Sequence, residues 1–187
     1  MCAEAATPGA ALEAMRAHNP DIAIVDVSLQ GANGIDLLKR MKSEKPRMPV
    51  LMISLHDETL YPLRSLRAGA SGYVTKRAAV NEIVAAVRHV LDGEIYLGAD
   101  LAQRLILKSF GSGGTDASSP VDPLSDRELE VLELVGRGLG TRDIAERLNL
   151  SVKTIESHRA NIKIKLGCKD GGEMVRFAMD WTAQQNV

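Results

Sequence analysis

Apolar residues in the first 110 positions alternate between short continuous runs and helically spaced positions. Continuous apolar runs are typical of strands buried on both faces of a parallel sheet, and the amphipathic segments between them are typical of covering helices. The predicted strands are Asp21–Val27, Pro49–Ser54 and Ser71–Thr75. The predicted helices are Ala10–Ala17, Gly34–Lys42, Asp57–Ala68, Ala79–Leu91 and Ala99–Ser109. This pattern indicates an α/β domain with a parallel sheet over residues 1–110.

The pattern changes in residues 111–123, GSGGTDASSPVDP, which are rich in glycine, serine and proline and show no apolar periodicity. This composition predicts a flexible linker. Helical spacing returns in residues 124–187, where Ser125 and Glu128 match a capping box at the start of a helix. Further helices are predicted at Thr141–Leu148, Leu150–Gly167 and Gly171–Thr182. Residues 124–187 are therefore expected to form a separate all-α domain.

The segment Leu150–Gly167 combines a buried stripe with a basic outer face. Ile155, Ile162 and Leu166 recur at helical spacing, and Ser151 can cap the first turn. The outer positions carry five basic residues and one acidic residue, which are Lys153, Arg159, Lys163, Lys165, Lys169 and Glu156. A short helix, a tight turn and a longer basic helix predict a helix-turn-helix, whose second helix enters the major groove of DNA. The phosphates beside the groove attract lysine and arginine.

Composition narrows the classes of function. The formal net charge of the 187-residue chain is −1, so DNA binding would depend on the local basic patch rather than on overall charge. Aromatic residues make up only 3% of the chain, which argues against stacking on exposed bases. Cys2 and Cys168 are far apart and indicate neither a disulfide framework nor a metal site. The sequence has no membrane-spanning run and no signal peptide, so a cytoplasmic location is expected.

Polar residues stand at the ends of the three predicted strands. Asp26 closes the first strand, Ser54 closes the second, and Lys76 follows the third. Because sites in open parallel sheets lie beyond the carboxyl ends of the strands, these side chains are expected on one rim. A carboxylate nucleophile with an ammonium and a hydroxyl beside it is suited to phosphoryl transfer. Each residue alone indicates little, since a polar residue after a buried strand is common.

The sequence LSDRELEVLELVGRGLGTRDIAERLNLSVKTIESHRANIKIKLG, which begins at Leu124, resembles the LuxR-type helix-turn-helix of bacterial transcription factors. The likeness extends to about Ala178 without a gap and implies binding to double-stranded DNA. The residues expected to contact DNA are Lys153, Thr154, Glu156, Ser157, His158, Arg159, Ala160, Lys163 and Lys165, with Glu156, Ser157 and Ala160 nearest the bases. In this family the last helix, here Gly171–Thr182, often also forms a dimer contact.

The segments PDIAIVDVSLQGANGIDLL, PVLMIS and SLRAGASGYVTK resemble the flavodoxin-like receiver domain of two-component response regulators. The resemblance implies that Asp26 is the phospho-acceptor and that Lys76 binds the phosphoryl group. It also implies that Ser54 is the switch hydroxyl and Tyr73 the switch aromatic. A sensor histidine kinase would phosphorylate Asp26 and so control dimerisation and promoter binding. The two likenesses together resemble the NarL/FixJ-like class of regulators.

The receiver likeness is incomplete at its start. The family's first strand, first helix and acidic pair are absent, and Met1–Ala5 resembles the family's second strand. Of the family's Mg²⁺ ligands only the Asp26 carboxylate and the Ser28 backbone carbonyl are present, so the implied metal site is incomplete. Without the first strand, Asp21–Val27 presents an apolar edge that invites pairing, and a homodimer through residues 1–110 is expected. Either the segment is supplied in trans, or the sheet is rearranged, or the polypeptide is truncated.

Three functions are compared here with what these residues can do. The first is a DNA-binding response regulator controlled by phosphorylation of Asp26. The second is a phosphorylation-independent transcription factor whose degenerate receiver serves as a dimerisation or sensing module. The third is a small α/β enzyme that uses Asp26, Ser54 and Lys76, but the sequence lacks a glycine-rich phosphate loop and a G-x-S-x-G elbow. The chain is therefore not expected to be an enzyme.

Overall fold

The computed structural model describes residues 2–29, 32–54, 60–111 and 119–185. The chain divides into two compact units, Met1–Thr115 and Asp116–Val187. In the described residues the first unit is α/β with a parallel sheet and the second contains only helices, which confirms the predicted fold class. The linker predicted at 111–123 falls partly outside the described residues, because 112–118 are not among them.

The N-terminal unit is built on a four-stranded parallel sheet. The strands in chain order are β1 (Ala23–Asp26), β2 (Ser28–Leu29), β3 (Ala32–Asn33), β4 (Val50–Ser54), β5 (Gly72–Thr75) and β6 (Tyr96–Leu97). The order in the sheet is β1-β4-β5-β6, and β2 pairs with β3 in a separate antiparallel hairpin. The first three predicted strands correspond to β1, β4 and β5, whose central residues are apolar because helices cover the sheet.

In the described residues of this unit, five helices accompany the sheet. They are α1 (Pro8–His18), α2 (Gly34–Glu44), α3 (Leu60–Arg67), α4 (Val80–Leu91) and α5 (Ala99–Gly111). The described part of the helix predicted from Asp57 begins at Leu60, since residues 55–59 lie outside the described residues. Helix α4 packs on the sheet through a cluster formed by Leu51, Val74, Ala86 and Val90. Burial of these side chains holds α4 over β4 and β5.

The strand predicted at Met1–Ala5 is wrong for residues 2–5, which form no strand. None of the described strands pairs with this segment, so its backbone groups have no ladder to join. Conversely, the strand β6 was not predicted. Its two residues are too few to show an alternation of apolar and polar positions. Tyr96 N donates to Ser71 O at 3.1 Å, and this pairing depends on α4, which returns the chain to the side of β5.

An apolar stripe on α4 is exposed to solvent. Val80, Val84 and Leu91 are 76%, 45% and 47% exposed, and their spacing of four and seven residues places them on one side of the helix. His89 lies on the opposite side of α4, where its ring contacts that of Tyr96 on β6, with 5.6 Å between the ring centroids. Since β1 and β6 lie at opposite edges of the sheet, the stripe faces the β1 edge.

The sheet surface beside this stripe is also apolar. Ile24 of β1 pairs in register with Leu51 and therefore points to the same side of the sheet as α4. Its side chain is 49% exposed, whereas Leu51 is fully buried under the helix. Ile24 and the stripe on α4 together form what we call the β1–α4 face. Among the described residues no other element covers it.

The C-terminal unit is a bundle of four helices in its described part. They are α6 (Asp126–Gly136), α7 (Thr141–Arg147), α8 (Val152–Lys165) and α9 (Gly171–Gln185). The capping box forms as the sequence predicts, with Ser125 Oγ accepting from Glu128 N and Glu128 Oε2 accepting from Ser125 N. The largest fully buried side chains of the core are Leu129, Leu132, Ile144, Ile155, Ile162 and Met174. All four helices contribute to this core, so α8 is held from three sides.

Close packing of α6 on α9 depends on Gly136. A Cβ built on Gly136 would lie 2.9 Å from the carbonyl carbon of Ala178 and nearer still to its oxygen. We expect Gly136→Ala to destabilise this unit by about 1–3 kcal/mol, because the two helices must separate to admit the methyl group. Urea unfolding followed by fluorescence of Trp181, the chain's single tryptophan, measures this.

The matched control is Gly171→Ala at the first position of α9. A Cβ there meets nothing within 4 Å, and Gly171 needs no left-handed backbone conformation. We expect this variant to unfold at the same urea concentration as the parent chain or slightly above it. Equal stabilities for the two alanine variants would contradict the close-packing argument.

Candidate phosphoacceptor site and DNA-binding surface

The carboxyl ends of β1, β4 and β5 meet at one edge of the sheet. The register pairs Asp26 with Ile53 and Ser54 with Thr75, so the three strands end level with one another. Lys76, directly after β5, donates its backbone N–H to Ser54 O at 2.6 Å and its ammonium to Asp26 Oδ2. Two predicted site residues that are 50 positions apart in sequence are thus joined by an ion pair.

The Asp26 carboxylate is held on both oxygens yet stays accessible. Its Oδ1 accepts a hydrogen bond from the Ser28 backbone N–H at 3.1 Å, and its Oδ2 faces Lys76. The side chains of Asp26 and Lys76 are 25% and 35% exposed. A small phosphodonor can therefore reach the carboxylate from solvent. The adjacent ammonium supplies a positive charge where phosphoryl oxygens would lie.

Gly34 closes the loop that follows Asp26. Its N–H donates to Val27 O at 2.7 Å, and a Cβ there would lie 2.8 Å from the Asp26 carbonyl carbon. The buried Asn33 side chain caps α2 by accepting from Ile35 N at 2.8 Å. Only glycine permits this approach, so the N-G pair fixes the start of α2 against the end of β1.

Ser54 and Tyr73 occupy a different environment from Asp26. Both side chains are fully buried within the sheet layer, so neither is exposed to solvent beside the carboxylate. Tyr73 sits on β5 level with Met52 of β4 and Leu97 of β6. The structure thus brings Asp26 and Lys76 into contact and buries the two predicted switch residues in the interior.

The residues around Asp26 do not fit a magnesium site. Mg²⁺ requires near-octahedral coordination by oxygen, usually with more than one carboxylate or phosphate. Both Asp26 oxygens are already engaged, by an ammonium and by a backbone N–H. The described residues contain no group of three or more His, Cys, Asp or Glu side chains that could hold a metal ion. The Ser28 carbonyl is the one further donor that the sequence suggests there.

The helix-turn-helix consists of α7 and α8. The turn between them passes through Asn149, whose φ of 51° is left-handed, and Leu150 N donates to Ala145 O at 2.8 Å. Ser151 caps α8 as predicted, since its Oγ accepts from Thr154 N at 3.0 Å. Ile155 and Ile162 are buried against the other helices. The side of α8 opposite Ile155 and Ile162 is exposed to solvent.

The nine residues predicted to contact DNA divide into three groups around α8. Lys153, Glu156, Ser157 and Ala160 are exposed on the outer face, although Ser157 Oγ donates to Lys153 O at 3.0 Å. Thr154, Arg159 and Lys163 are half-buried on the flanks of the helix. His158 and Lys165 lie on the flank that faces the first turn of α6. The outer face and the α6 flank therefore carry different residues.

Lys165 and His158 both meet charged residues of α6. Lys165 Nζ donates to Glu128 Oε2 at 2.6 Å, and this carboxylate is buried. Burial opposes ionisation of Glu128, but the bonds from Lys165 and Ser125 hold its pKa below the ordinary value. Burial lowers the pKa of His158 below 6.5, and Arg127 lowers it further against an opposing effect of Glu128.

Sequence reasoning missed three exposed residues of α8, which are Val152, Asn161 and Ile164. Ile164 is 73% exposed and lies four residues after Ala160, on the same face. Helical spacing from Ala160 could have identified it, but attention to charge did not select an apolar residue. An exposed apolar side chain on this face is suited to contact with a thymine methyl group.

Comparison with known proteins supports both units. Residues 1–88 match the family model described as "Response regulator receiver domain", and residues 122–178 match "Bacterial regulatory proteins, luxR family". The chain is 36% identical over 181 residues to the oxygen regulatory protein NreC of Staphylococcus haemolyticus, which covers 95% of this chain and 83% of NreC. The chain belongs to the two-component response regulators of the NarL/FixJ class. It is a DNA-binding transcription regulator with a receiver and a LuxR-type helix-turn-helix.

Solved structures agree with this membership. A LuxR-family two-component response regulator from Aurantimonas sp. SI85-9A1 superposes with a TM-score of 0.55 at 32% identity, covering 57% of this chain and 76% of the other. RcsB from Salmonella enterica serovar Typhimurium, solved on the rprA promoter with the phosphomimetic BeF3−, gives a TM-score of 0.53 at 23% identity. That match covers 91% of this chain and 81% of RcsB, and it supports the fold. None of the helices in the described ranges has the length and apolarity needed to cross a membrane.

The lowered pKa of His158 predicts how stability depends on pH. Below about pH 6.5 His158 binds a proton more readily in the unfolded chain than in the folded chain. The free energy of unfolding therefore falls as the pH drops. His158→Gln removes this contribution. We expect the loss of stability between pH 7.5 and pH 5.5 to be smaller in the variant, as measured by urea unfolding at each pH. An identical loss in both proteins would contradict the assignment.

Proposed function

We propose that this regulator is controlled by phosphorylation of Asp26, with a sensor histidine kinase as the phosphodonor. The observation that carries the proposal is the contact between the accessible Asp26 carboxylate and the Lys76 ammonium at the carboxyl edge of the sheet. One Asp26 oxygen attacks the phosphorus of a phosphohistidine, and the P–N bond breaks with its electron pair moving to the histidine nitrogen. The product is an aspartyl phosphate whose oxygens face Lys76.

The proposed signal ends at promoter DNA. The outer face of α8, with Glu156, Ser157 and Ala160, would enter the major groove, while Lys153 in the first turn and the basic side chains on the flanks approach the phosphates. Glu156 is suited to accept a hydrogen bond from a cytosine amine. Because DNA phosphates repel a carboxylate, the presence of Glu156 on this face favours such a base contact. A regulator of this kind acts where the chromosome is, so we place it in the cytoplasm.

A second function is favoured by the engagement of both Asp26 oxygens. With an N–H on one oxygen, an ammonium on the other and no fitting metal site, the carboxylate is a slow nucleophile for a dianionic donor. The N-terminal unit would then serve as a phosphorylation-independent dimerisation or sensing module. The two functions differ in whether Asp26 is labelled at all.

Acetyl phosphate labelling tests the first function. With one fixed positive charge at the site, from Lys76, we expect slow and substoichiometric labelling of the chain, with no acceleration by added Mg²⁺. Intact-protein mass spectrometry over time measures the added phosphoryl mass. The matched control is Asp26→Asn, which preserves shape and removes the nucleophile.

Each outcome of this experiment discriminates between the alternatives. Slow labelling that disappears in Asp26→Asn supports phosphorylation control. No labelling of either protein supports the phosphorylation-independent module. Labelling that persists in Asp26→Asn would show that another residue is the acceptor, and rapid stoichiometric labelling that requires Mg²⁺ would contradict the description of the metal ligands.

We also propose that the chain forms a homodimer through the β1–α4 face. RcsB has been solved as two dimers on two parallel DNAs, and helix-turn-helix dimers in general read two half-sites. In this chain Ile24, Val80, Val84 and Leu91 are apolar and exposed side by side. A two-fold arrangement would bury the same face of both copies. One helix and one strand make a small interface, so we expect a weak dimer.

Self-association of the full chain tests this surface. Val84→Glu places a carboxylate in the middle of the stripe, so we expect its dimer dissociation constant to rise at least about tenfold, the effect of roughly 1.4 kcal/mol. Sedimentation velocity over a concentration series measures it. Ile106→Glu is the matched control, since Ile106 on α5 is 54% exposed and lies outside the face. A monomeric parent chain at every concentration, or equal effects of both variants, would contradict the surface.

A further inference from the structure

The first turn of α6 is bound to both ends of the segment that presents α8. Glu128 Oε2 accepts from the Ser125 backbone N–H at 2.8 Å and from Lys165 Nζ at 2.6 Å. One carboxylate oxygen therefore caps α6 and holds the last turn of α8. The Glu128 side chain is 5% exposed and that of Lys165 is 38% exposed, so the carboxylate is shielded from solvent and the ammonium is only partly covered.

The neighbouring residue, Arg127, holds the opposite end. Its guanidinium donates to the carbonyl of Leu148 at 3.1 Å and to Glu130 Oε2 at 2.7 Å. Leu148 is the C-cap of α7 and opens the turn that leads into α8. The side chains of Arg127 and Glu130 are 11% and 7% exposed, so this contact is also shielded.

These contacts fix the direction of α8 in relation to the rest of the bundle. The helix has 14 residues and is about 21 Å long at 1.5 Å per residue. Its expected base-facing residues, Glu156, Ser157 and Ala160, lie between the two points that α6 holds. A helix held at one point can tilt about it, whereas a helix held near both ends cannot. Recognition of base edges requires placement within about 0.5 Å.

We infer that Arg127 and Glu128 are positioning residues for base recognition, and that Lys165 serves this clamp rather than a DNA phosphate. His158 lies on the same flank of α8, seven residues before Lys165, and both Arg127 and Glu128 act on it electrostatically. The α6 flank of α8 is thus an internal contact along its length. This assignment separates Lys165 from the basic residues with which the sequence grouped it.

Salt dependence distinguishes a clamp from a phosphate contact. A lysine that binds a phosphate contributes about one unit to the slope of log affinity against log salt. We therefore compare Lys165→Gln with Lys153→Gln in the full chain, on a random duplex and on the tightest duplex from a random-sequence selection. For Lys165→Gln we expect an unchanged salt slope on the random duplex and about a tenfold loss of preference for the selected one, comparable to one lost base contact.

Lys153→Gln should lower the salt slope and keep the preference for the selected duplex, because Lys153 is exposed in the first turn of α8. We expect its salt slope to fall by about one unit on both duplexes. If Lys165→Gln lowers the slope by one unit and keeps the preference between duplexes, Lys165 contacts DNA and the inference is wrong. An unchanged slope together with an unchanged preference would equally exclude a positioning role.

Glu128→Gln tests the other partner while keeping the cap. Glutamine can still accept from the Ser125 N–H, so the start of α6 is preserved and only the charge opposite Lys165 is lost. We expect the double variant with Lys165→Gln to lose no more preference than either single variant, because both break one interaction. Additive losses would contradict the clamp. Trp181 fluorescence in urea shows whether each variant is folded. If Glu128→Gln does not fold, the salt slope and the preference of Lys165→Gln decide by themselves whether Lys165 has a positioning role.

Discussion

Parallel pairing of β1, β4 and β5 is the constraint on which the N-terminal unit depends. Parallel strands run in one direction, so the residues that end them meet at one edge even when long stretches of chain separate them. Asp26 and Lys76 come together for this reason, and the Lys76 backbone bond to Ser54 O keeps β4 and β5 level at that edge. Gly34 then allows α2 to begin against the end of β1.

The same ion pair both prepares and limits the proposed chemistry. Lys76 supplies the positive charge that a transferred phosphoryl group needs, yet in this structure it also neutralises the carboxylate that must attack. The Ser28 N–H engages the second oxygen. Further carboxylates would attract a divalent cation, which would release the Asp26 carboxylate from Lys76. The described residues contain no group of three or more His, Cys, Asp or Glu side chains that could hold such an ion. The reactivity of Asp26 is therefore set by the groups around it as much as by its own position.

The C-terminal unit is organised around α6. This helix contributes buried residues to the core, approaches α9 at Gly136, and holds both ends of the α8 segment through Arg127 and Glu128. Charged residues near a helix N-terminus are usually explained as caps, and Glu128 is one. Here the buried carboxylate of the cap also forms an ion pair with a residue 37 positions away. With the positioning role that we infer for Arg127 and Glu128, stability and base recognition would share the same side chains.

The sequence alone determined the elements and the family. Apolar runs predicted β1, β4 and β5, and the capping residues Ser125 and Ser151 marked the starts of α6 and α8, because these signals are local in the chain. The likeness of the motifs also predicted Asp26 and Lys76 as a pair. Only the tertiary structure decided which residues of α8 face outward and which face α6, and it corrected the strand at Met1–Ala5. Lys153 and Lys165 look equivalent in sequence, but the contact of Lys165 with the buried Glu128 distinguishes them, and this contact depends on helices that pack from distant parts of the chain.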